Sequence, residues 1–196
     1  MTGHHNVFSD GPVTGKTVLV TGGAGAVGHY AIQWARWGGA TVIATVSSDA
    51  KAAHAVAGGA HHTVNYRDDD PAQQIFDLTG GEGVDRIVEV DLAANLGLTA
   101  KALKSGGTVS VYASTGDPEN LMLRMALRNA RLRFMVLHSV PRAAIDAART
   151  DIVTWLADGN GLHTVAGTFP LMQCAEAHEY VESGAKMGTG IVRPAD

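Results

Sequence analysis

Three glycines, Gly23, Gly25 and Gly28, lie between a short apolar run and a helical pattern. The spacing G-x-G-x-x-G in this context is typical of a dinucleotide-binding site. We predict that Gly23 permits a sharp turn, that Gly25 lets the backbone approach a pyrophosphate, and that Gly28 lets the helix pack closely on the strand. The first amides of the helix, at Ala26 and Val27, would then point at the phosphates. Because the chain has 24 glycines, a turn that holds no ligand is the alternative interpretation.

The residues after the second apolar run distinguish NAD from NADP. An NAD site usually has an acidic residue there, which binds the ribose 2′-hydroxyl, whereas Val46 occupies that place in this chain. Ser47 follows, and Lys51 lies one helical turn later. Because a hydroxyl and a cation suit a 2′-phosphate, this segment favours NADP(H). The alternative is a helix cap at Ser48 or Asp49 beside a solvated lysine.

Apolar runs and helical patterns alternate over most of the chain. The predicted strands are residues 17–21, 41–46, 63–66, 86–90, 108–112 and 132–137. The predicted helices are residues 27–37, 49–57, 71–78, 92–103, 118–129 and 142–157. Strands that alternate with helices of this length form parallel βαβ units. We therefore predict an α/β fold with a doubly wound six-stranded parallel sheet, a Rossmann fold in the strand order 3-2-1-4-5-6.

The C-terminal part of the chain departs from this alternation. A strand at 165–169, a helix near 171–183 and a strand at 189–193 follow the last of those helices. We therefore predict a dinucleotide-binding domain at residues 1–160, with a short N-terminal lead-in, and a short C-terminal β-α-β extension at residues 161–196. The sequence leaves open whether the two last strands pair with each other, exchange between chains or are poorly ordered.

Other candidate catalytic groups give weak signals. Glu89 and Asp91 flank the end of the fourth predicted strand, where ligands of such sheets bind, but a helix cap is the simpler role for Asp91. None of the four tyrosines begins a Tyr-x-x-x-Lys pair, the acid/base unit of short-chain dehydrogenases. The histidines have no metal-ligand spacing with cysteines or acids, so we predict no metal site. No catalytic residue is therefore assigned.

Composition and charge argue against several other function classes. The net charge is −4 and no long block of Lys or Arg occurs, which disfavours a nucleic-acid partner. No apolar run reaches roughly 18 residues, and the chain start has no charged region followed by an apolar one, so we predict neither a membrane span nor a signal peptide. A single cysteine, Cys174, cannot form an internal disulfide, which favours a cytoplasmic location.

Several stretches occur in an order that is typical of one superfamily: GKTVLVTGGAGAVGHYAIQWAR, GGAHHTVNYRD, TGGEGVDRIVEV, AANL, LKSGGTVSVYAS, FPLMQCAEAHEYVESG and GIVRP. With them the chain resembles the coenzyme-binding half of the medium-chain dehydrogenase/reductase superfamily, in its quinone oxidoreductase (zeta-crystallin-like) branch. The resemblance implies hydride transfer from NADPH to a quinone or an α,β-unsaturated carbonyl, without zinc. It also implies that Gly23 to Gly28 bind the pyrophosphate, and that Ser47, Lys51 and Tyr66 bind the 2′-phosphate end. Ser114 would lie near the nicotinamide, with ordinary loop packing as the alternative.

Two features depart from the pattern of that superfamily. Thr189 stands where its members commonly have a lysine. Members begin with a catalytic domain of about 100–130 residues, whereas about 15 residues precede the first predicted strand. We therefore expect the NADP(H)-binding portion of an oxidoreductase. The alternative is a non-catalytic NADP(H)-binding module, or a truncated form with no turnover of its own.

The sixth predicted strand bears on assembly. It would be an edge of the sheet, and its run Leu132–Leu137 is mostly apolar. Exposed edges of this kind tend to pair. We therefore predict a homodimer that joins two six-stranded sheets at this edge, as the resemblance also implies.

Overall fold

In the computed structural model, which describes residues 1–194, the main sheet has six strands. They are β1 Thr17–Val20, β2 Thr41–Val46, β3 His62–Asn65, β4 Val84–Glu89, β5 Leu103–Val111 and β6 Arg131–Phe134. All neighbouring strands are parallel, and their order is β3-β2-β1-β4-β5-β6. The predicted fold class and strand order are therefore confirmed.

Helices connect the strands and cover both faces of the sheet. They are α1 Thr2–Phe8, α2 Ala26–Trp37, α3 Asp49–Ala57, α4 Pro71–Leu78, α5 Leu92–Ala102, α6 Leu121–Ala126, α7 Arg142–Ala157 and α8 Cys174–Glu182. Within residues 1–194, no helix combines the length and the apolar character needed to cross a membrane.

The central strands are apolar on both sides because each side packs against helices. Side chains alternate between the two faces of a strand, and β1 illustrates this. Val18 and Val20 belong to one buried cluster together with Trp34 of α2. Leu19 belongs to the opposite cluster together with Ile75 of α4. The sheet thus separates two hydrophobic cores, and the ends of its strands carry the candidate site.

The lead-in before β1 contains α1, which the sequence analysis did not predict. Arg86 of β4 is 1 % exposed and holds the end of this helix. Its guanidinium donates hydrogen bonds to the carbonyl oxygens of Val7, Asp10 and Gly11. Because this helix is short and has no side-chain N-cap, it depends on such long-range contacts more than on a local sequence signal.

Two elements near the sheet edge are shorter than predicted. Helix α6 spans six residues, where the prediction was 118–129, because Asn120 and Asn129 adopt left-handed backbone conformations with φ of +56° and +48°. Strand β6 ends at Phe134, where the prediction ran to Leu137, because a 3₁₀ turn occupies Leu137–Ser139. The apolar run that suggested the sixth strand therefore extends beyond it.

The C-terminal extension contains two further strands, β7 Val165–Pro170 and β8 Thr189–Arg193, on either side of α8. Of the arrangements that the sequence left open, the structure has these strands paired with each other, in parallel. The extension also contacts the main domain, since Gly188 N donates to Ala24 O at 3.0 Å. The predicted extension ended at residue 196, but residues 195 and 196 lie outside the described residues. A domain boundary at residue 160 stays a prediction.

Candidate functional site

The turn between β1 and α2 contains several glycines, and they have different structural roles. Gly22 has a φ of +63° and makes the turn, so the prediction that Gly23 makes it is wrong. Gly23 is buried instead, and a Cβ on it would lie 2.8 Å from the Cβ of Ala44. The first glycine of the motif is therefore needed for packing against β2 rather than for the turn itself.

The other two glycines of the motif, Gly25 and Gly28, differ in how much space a side chain would have. A Cβ on Gly28 would lie 2.3 Å from the carbonyl oxygen of Gly22, so α2 can approach the turn only with a glycine there, as predicted. A Cβ on Gly25 would meet nothing closer than 3.4 Å. The protein's own packing thus requires glycine at position 28 and leaves position 25 free to face another molecule.

The N-terminus of α2 begins directly after Gly25. His29 N donates the first intrahelical hydrogen bond, to Gly25 O at 2.8 Å. The amides of Ala26 and Val27 precede that bond, so they are among the donors that a helix N-terminus offers to an anion. This arrangement can bind a phosphate group.

The end of β2 places a hydroxyl and an ammonium group beside each other. Ser47 is 7 % exposed, and its Oγ accepts a hydrogen bond from Lys51 Nζ at 3.0 Å. The same Nζ donates to Gly184 O at 2.8 Å. Ser48 is the N-cap of α3, and its Oγ accepts from Lys51 N at 3.4 Å. Two hydrogen bonds therefore hold the ammonium group of Lys51 beside Ser47.

These elements enclose a cleft of about 210 Å³ at the carboxyl ends of the strands. Its lining residues are Gly22, Ala24, Gly25, Thr45, Val46, Ser47, Lys51, Tyr66, Val90, Val181, Gly184 and Lys186. The structure thus brings together four predicted site residues: Gly25, Ser47, Lys51 and Tyr66. Tyr66 follows β3 directly and is 47 % exposed, so much of its ring is accessible.

Ser114 is the predicted residue that lies apart from the other site residues. It is exposed just beyond β5 and does not line the cleft. Its Oγ donates to Gly116 O at 2.6 Å and accepts from Ala93 N at 3.1 Å. These bonds join its loop to the start of α5, and a position near the nicotinamide stays a prediction.

The C-terminal extension also contributes to this cleft, which the sequence did not predict. Val181, Gly184 and Lys186 form one of its walls. Gly188 forms a bridge with Gly25, and this bridge anchors the extension against the glycine turn. The only local signal was the glycine-rich run GAKMGTG after α8, which by itself does not indicate which surface it contacts.

The charge in the cleft is positive. Among the described residues that line it, Lys51 and Lys186 are charged and none is acidic. Lys186 Nζ donates to Gly188 O at 3.1 Å, and burial lowers the pKa of this lysine. Because even a partly buried cation is less stable when it has no anionic partner, the arrangement suits an anionic ligand.

The acidic residues at the end of β4 have structural partners. Glu89 is fully buried and accepts hydrogen bonds from Thr21 Oγ1, Asn95 Nδ2 and Thr99 Oγ1 at 2.7–3.0 Å. Asp91 caps α5 as predicted, accepting from the amide of the residue three positions later at 3.2 Å. Both carboxylates therefore stabilise the junction of β1, β4 and α5.

The chain matches a family profile described as zinc-binding dehydrogenase over residues 26–149. Within residues 1–194, however, no group of three or more His, Cys, Asp or Glu side chains could hold a metal ion, so the side chains described do not fit a zinc site. We derive no chemistry from zinc for this chain.

Two curated relatives cover most of the chain. A 2-haloacrylate reductase from a Burkholderia species is 32 % identical over 186 residues, which are 92 % of this chain and 56 % of the relative. Quinone oxidoreductase 1 from Escherichia coli is 28 % identical over 184 residues, which are 87 % of this chain and 54 % of the relative. The chain thus spans about half the length of the curated relatives it matches.

Solved structures agree with the fold. A mycobacterial protein in complex with NADPH superimposes with a TM-score of 0.90 at 27 % identity, covering 98 % of this chain and 62 % of that one. Escherichia coli quinone oxidoreductase in complex with NADPH gives 0.88 at 25 %, with the same two coverages. Because the profile matches more than half of the chain, this protein belongs to the zinc-binding dehydrogenase family.

Proposed function

We propose that this chain is the NADP(H)-binding portion of an oxidoreductase that transfers hydride from NADPH to a quinone or an α,β-unsaturated carbonyl. The observation that carries the proposal is the Lys51–Ser47 pair, 3.0 Å apart in a cleft whose described lining has no acid, next to the glycine turn. The names of a haloacrylate reductase and a quinone oxidoreductase among the relatives support the substrate class.

The glycine turn would hold the pyrophosphate. Gly25 has room for the close approach of a phosphate, and the amides of Ala26 and Val27 lie at the positive end of α2. Gly23 and Gly28 would act indirectly, since the absence of their side chains lets the turn, β2 and α2 pack together. The chain's contribution at this place is orientation and charge stabilisation.

Ser47, Lys51 and Tyr66 would hold the 2′-phosphate and the adenosine end. An ammonium group has three donors, and Lys51 uses two of them on Ser47 Oγ and Gly184 O. The third is available to a phosphate oxygen. NADPH, when bound, supplies the hydride, and the protein supplies binding and orientation. Ser114 would face the nicotinamide side.

A binding module without turnover is the second candidate function. It is favoured by the cleft itself, because no described lining residue is a carboxylate or a histidine that could exchange a proton. Titration calorimetry with NADPH, followed by assays of NADPH oxidation with a quinone and with 2-chloroacrylate, separates the candidates. Turnover above an acceptor-free control supports the oxidoreductase, binding alone supports the module, and no binding contradicts both.

We also propose that the β6 edges of two copies pair in a homodimer. Phe134 is 67 % exposed at this edge. Arg131 and Arg133 would repel their counterparts, but Asp10 lies 3.4 and 3.5 Å from their Nε atoms and offsets the charge. Light scattering at micromolar concentration should give a dimer mass that Phe134→Lys reduces, and a monomeric wild-type chain would exclude the pairing.

A cytoplasmic location stays a prediction from the single cysteine.

A further inference from the structure

We propose that Lys186 is a second cation for the 2′-phosphate, so that the C-terminal extension takes part in selecting NADPH over NADH. This inference rests on the proposed function, because it requires NADP(H) in the cleft. It adds a residue about 135 positions away from Lys51 in the sequence to the same binding event.

The position of Lys186 is fixed on both sides. Its Nζ donates to Gly188 O at 3.1 Å. Gly188 N in turn donates to Ala24 O at 3.0 Å, and Gly184 O accepts from Lys51 Nζ at 2.8 Å. The segment 184–188 is therefore attached to the glycine turn at one end and to α3 at the other. Lys186 lies between these attachments and lines the cleft.

The two positive charges in the cleft favour a ligand with more than one negative charge. Lys51 and Lys186 share a volume of about 210 Å³ whose described lining has no acid. Two like charges so confined repel each other, more strongly where water is partly excluded. A phosphate monoester carries about −1.5 to −2 charges near neutral pH, which would compensate both ammonium groups. Burial already lowers the pKa of Lys186, and a bound phosphate would reverse that effect.

The number of free hydrogen-bond donors on the two lysines also favours a phosphate ligand. Lys51 has one donor left after its bonds to Ser47 and Gly184, whereas Lys186 has two left after its bond to Gly188. A phosphate monoester presents three strong acceptor oxygens. The single charged donor of Lys51 cannot satisfy all of them, and Lys186 adds two further charged donors beside the hydroxyl groups of Ser47 and Tyr66.

The experiment compares Lys186→Met with the wild-type chain by titration calorimetry. Four ligands are used: NADPH, NADH, 2′,5′-ADP and 5′-ADP. We expect Lys186→Met to bind NADPH and 2′,5′-ADP about tenfold more weakly, as for the loss of a charged hydrogen bond, and NADH and 5′-ADP within about twofold. Lys104→Met is the matched control, since Lys104 pairs with Glu82 at 2.6 Å and does not line the cleft. Lys186→Arg should retain the preference for both phosphorylated ligands.

The outcomes that overturn the inference are distinct from those that overturn the proposed function. If wild type binds NADPH and Lys186→Met binds it equally well, the inference is wrong and the proposed function stands. If Lys186→Met weakens all four ligands equally, the lysine contacts the pyrophosphate and does not select the 2′-phosphate. If wild type binds neither NADPH nor 2′,5′-ADP, the proposed function itself fails. Thermal unfolding of each variant verifies that it is folded, and loss of NADPH preference in a folded Lys186→Arg would also count against the inference.

Discussion

The glycine turn and the end of the cleft proposed for the 2′-phosphate line the same cleft, but their residues are needed for different physical reasons. In the turn, Gly23 and Gly28 are required by the protein's own packing, since their Cβ atoms would lie 2.8 and 2.3 Å from neighbouring atoms. At the end of the cleft that we propose for the 2′-phosphate, Ser47, Lys51 and Lys186 form polar contacts instead. The motif that is easiest to recognise therefore reports mainly the fold, whereas the less regular residues are those that we propose to determine the ligand.

The largest expected effect is on the folding side of this comparison. Gly28→Ala should lower the free energy of unfolding by about 3 kcal/mol, because its Cβ would overlap the backbone of Gly22 and neither side can move easily. Urea unfolding measures it. Gly97→Ala is the control, because a Cβ at that position in α5 meets nothing within 4 Å, and it should be neutral or slightly stabilising. Equal effects of the two substitutions would contradict the packing argument.

A second test concerns the contact between α2 and the start of the C-terminal extension. His29 Nε2 donates to Leu162 O at 3.2 Å, and its ring stacks on His54 at 4.2 Å. The pKa of His29 is lowered from 6.5 to about 4, mainly by burial and also by the charges of His54 and His163, while the bond to Leu162 opposes this shift. The folded protein therefore favours the neutral imidazole.

This pKa predicts how stability depends on pH. Above pH 6.5 the contribution of His29 is complete, because its side chain is neutral in the folded and the unfolded chain. As the pH falls from 6.5 towards 4, the unfolded chain binds a proton that the folded one does not, and up to about 3 kcal/mol should be lost. Urea unfolding at a series of pH values measures it. His29→Gln should have a flatter profile over this range, and identical profiles would refute the assignment.

Gly25→Ala tests the ligand side of the glycine turn. Its Cβ would meet nothing closer than 3.4 Å, so the free energy of unfolding should change by less than about 1 kcal/mol. Binding of NADPH should nevertheless weaken at least about tenfold, since the methyl group would occupy the space proposed for the pyrophosphate. Calorimetry and urea unfolding on the same variant separate the two effects. A variant that loses stability but keeps affinity would reverse the roles assigned to Gly25 and Gly28.

The parts of the fold that the sequence predicted are those with strong local patterns. The bounds of β2, α3, α4 and α7 agree with the prediction, because apolar runs, caps and glycines define them. Helix α1 was missed because Arg86, far along the chain, holds its end. The turn was assigned to Gly23 instead of Gly22 because the motif shows where glycines are needed, not which of them has a positive φ.

The candidate site was predictable only where its residues are close in sequence. Ser47 and Lys51 are four positions apart, one helical turn, so their contact could be anticipated. The contacts of Gly184 and Lys186 with the cleft are made across more than 130 positions, and no local pattern encodes them. They become visible only once β7 and β8 pair and direct the intervening loop towards the glycine turn.

The central claim is that the cleft selects the phosphorylated cofactor, and the most direct test is the ratio of NADPH to NADH affinity in the wild-type chain and in Lys51→Met. We expect wild type to bind NADPH at least about tenfold more tightly than NADH, because Lys51 and Ser47 have a 2′-phosphate to bind only in NADPH. Lys51→Met should lose most of this preference while its NADH affinity stays nearly unchanged. Wild-type affinity for NADH equal to or tighter than that for NADPH would contradict the account.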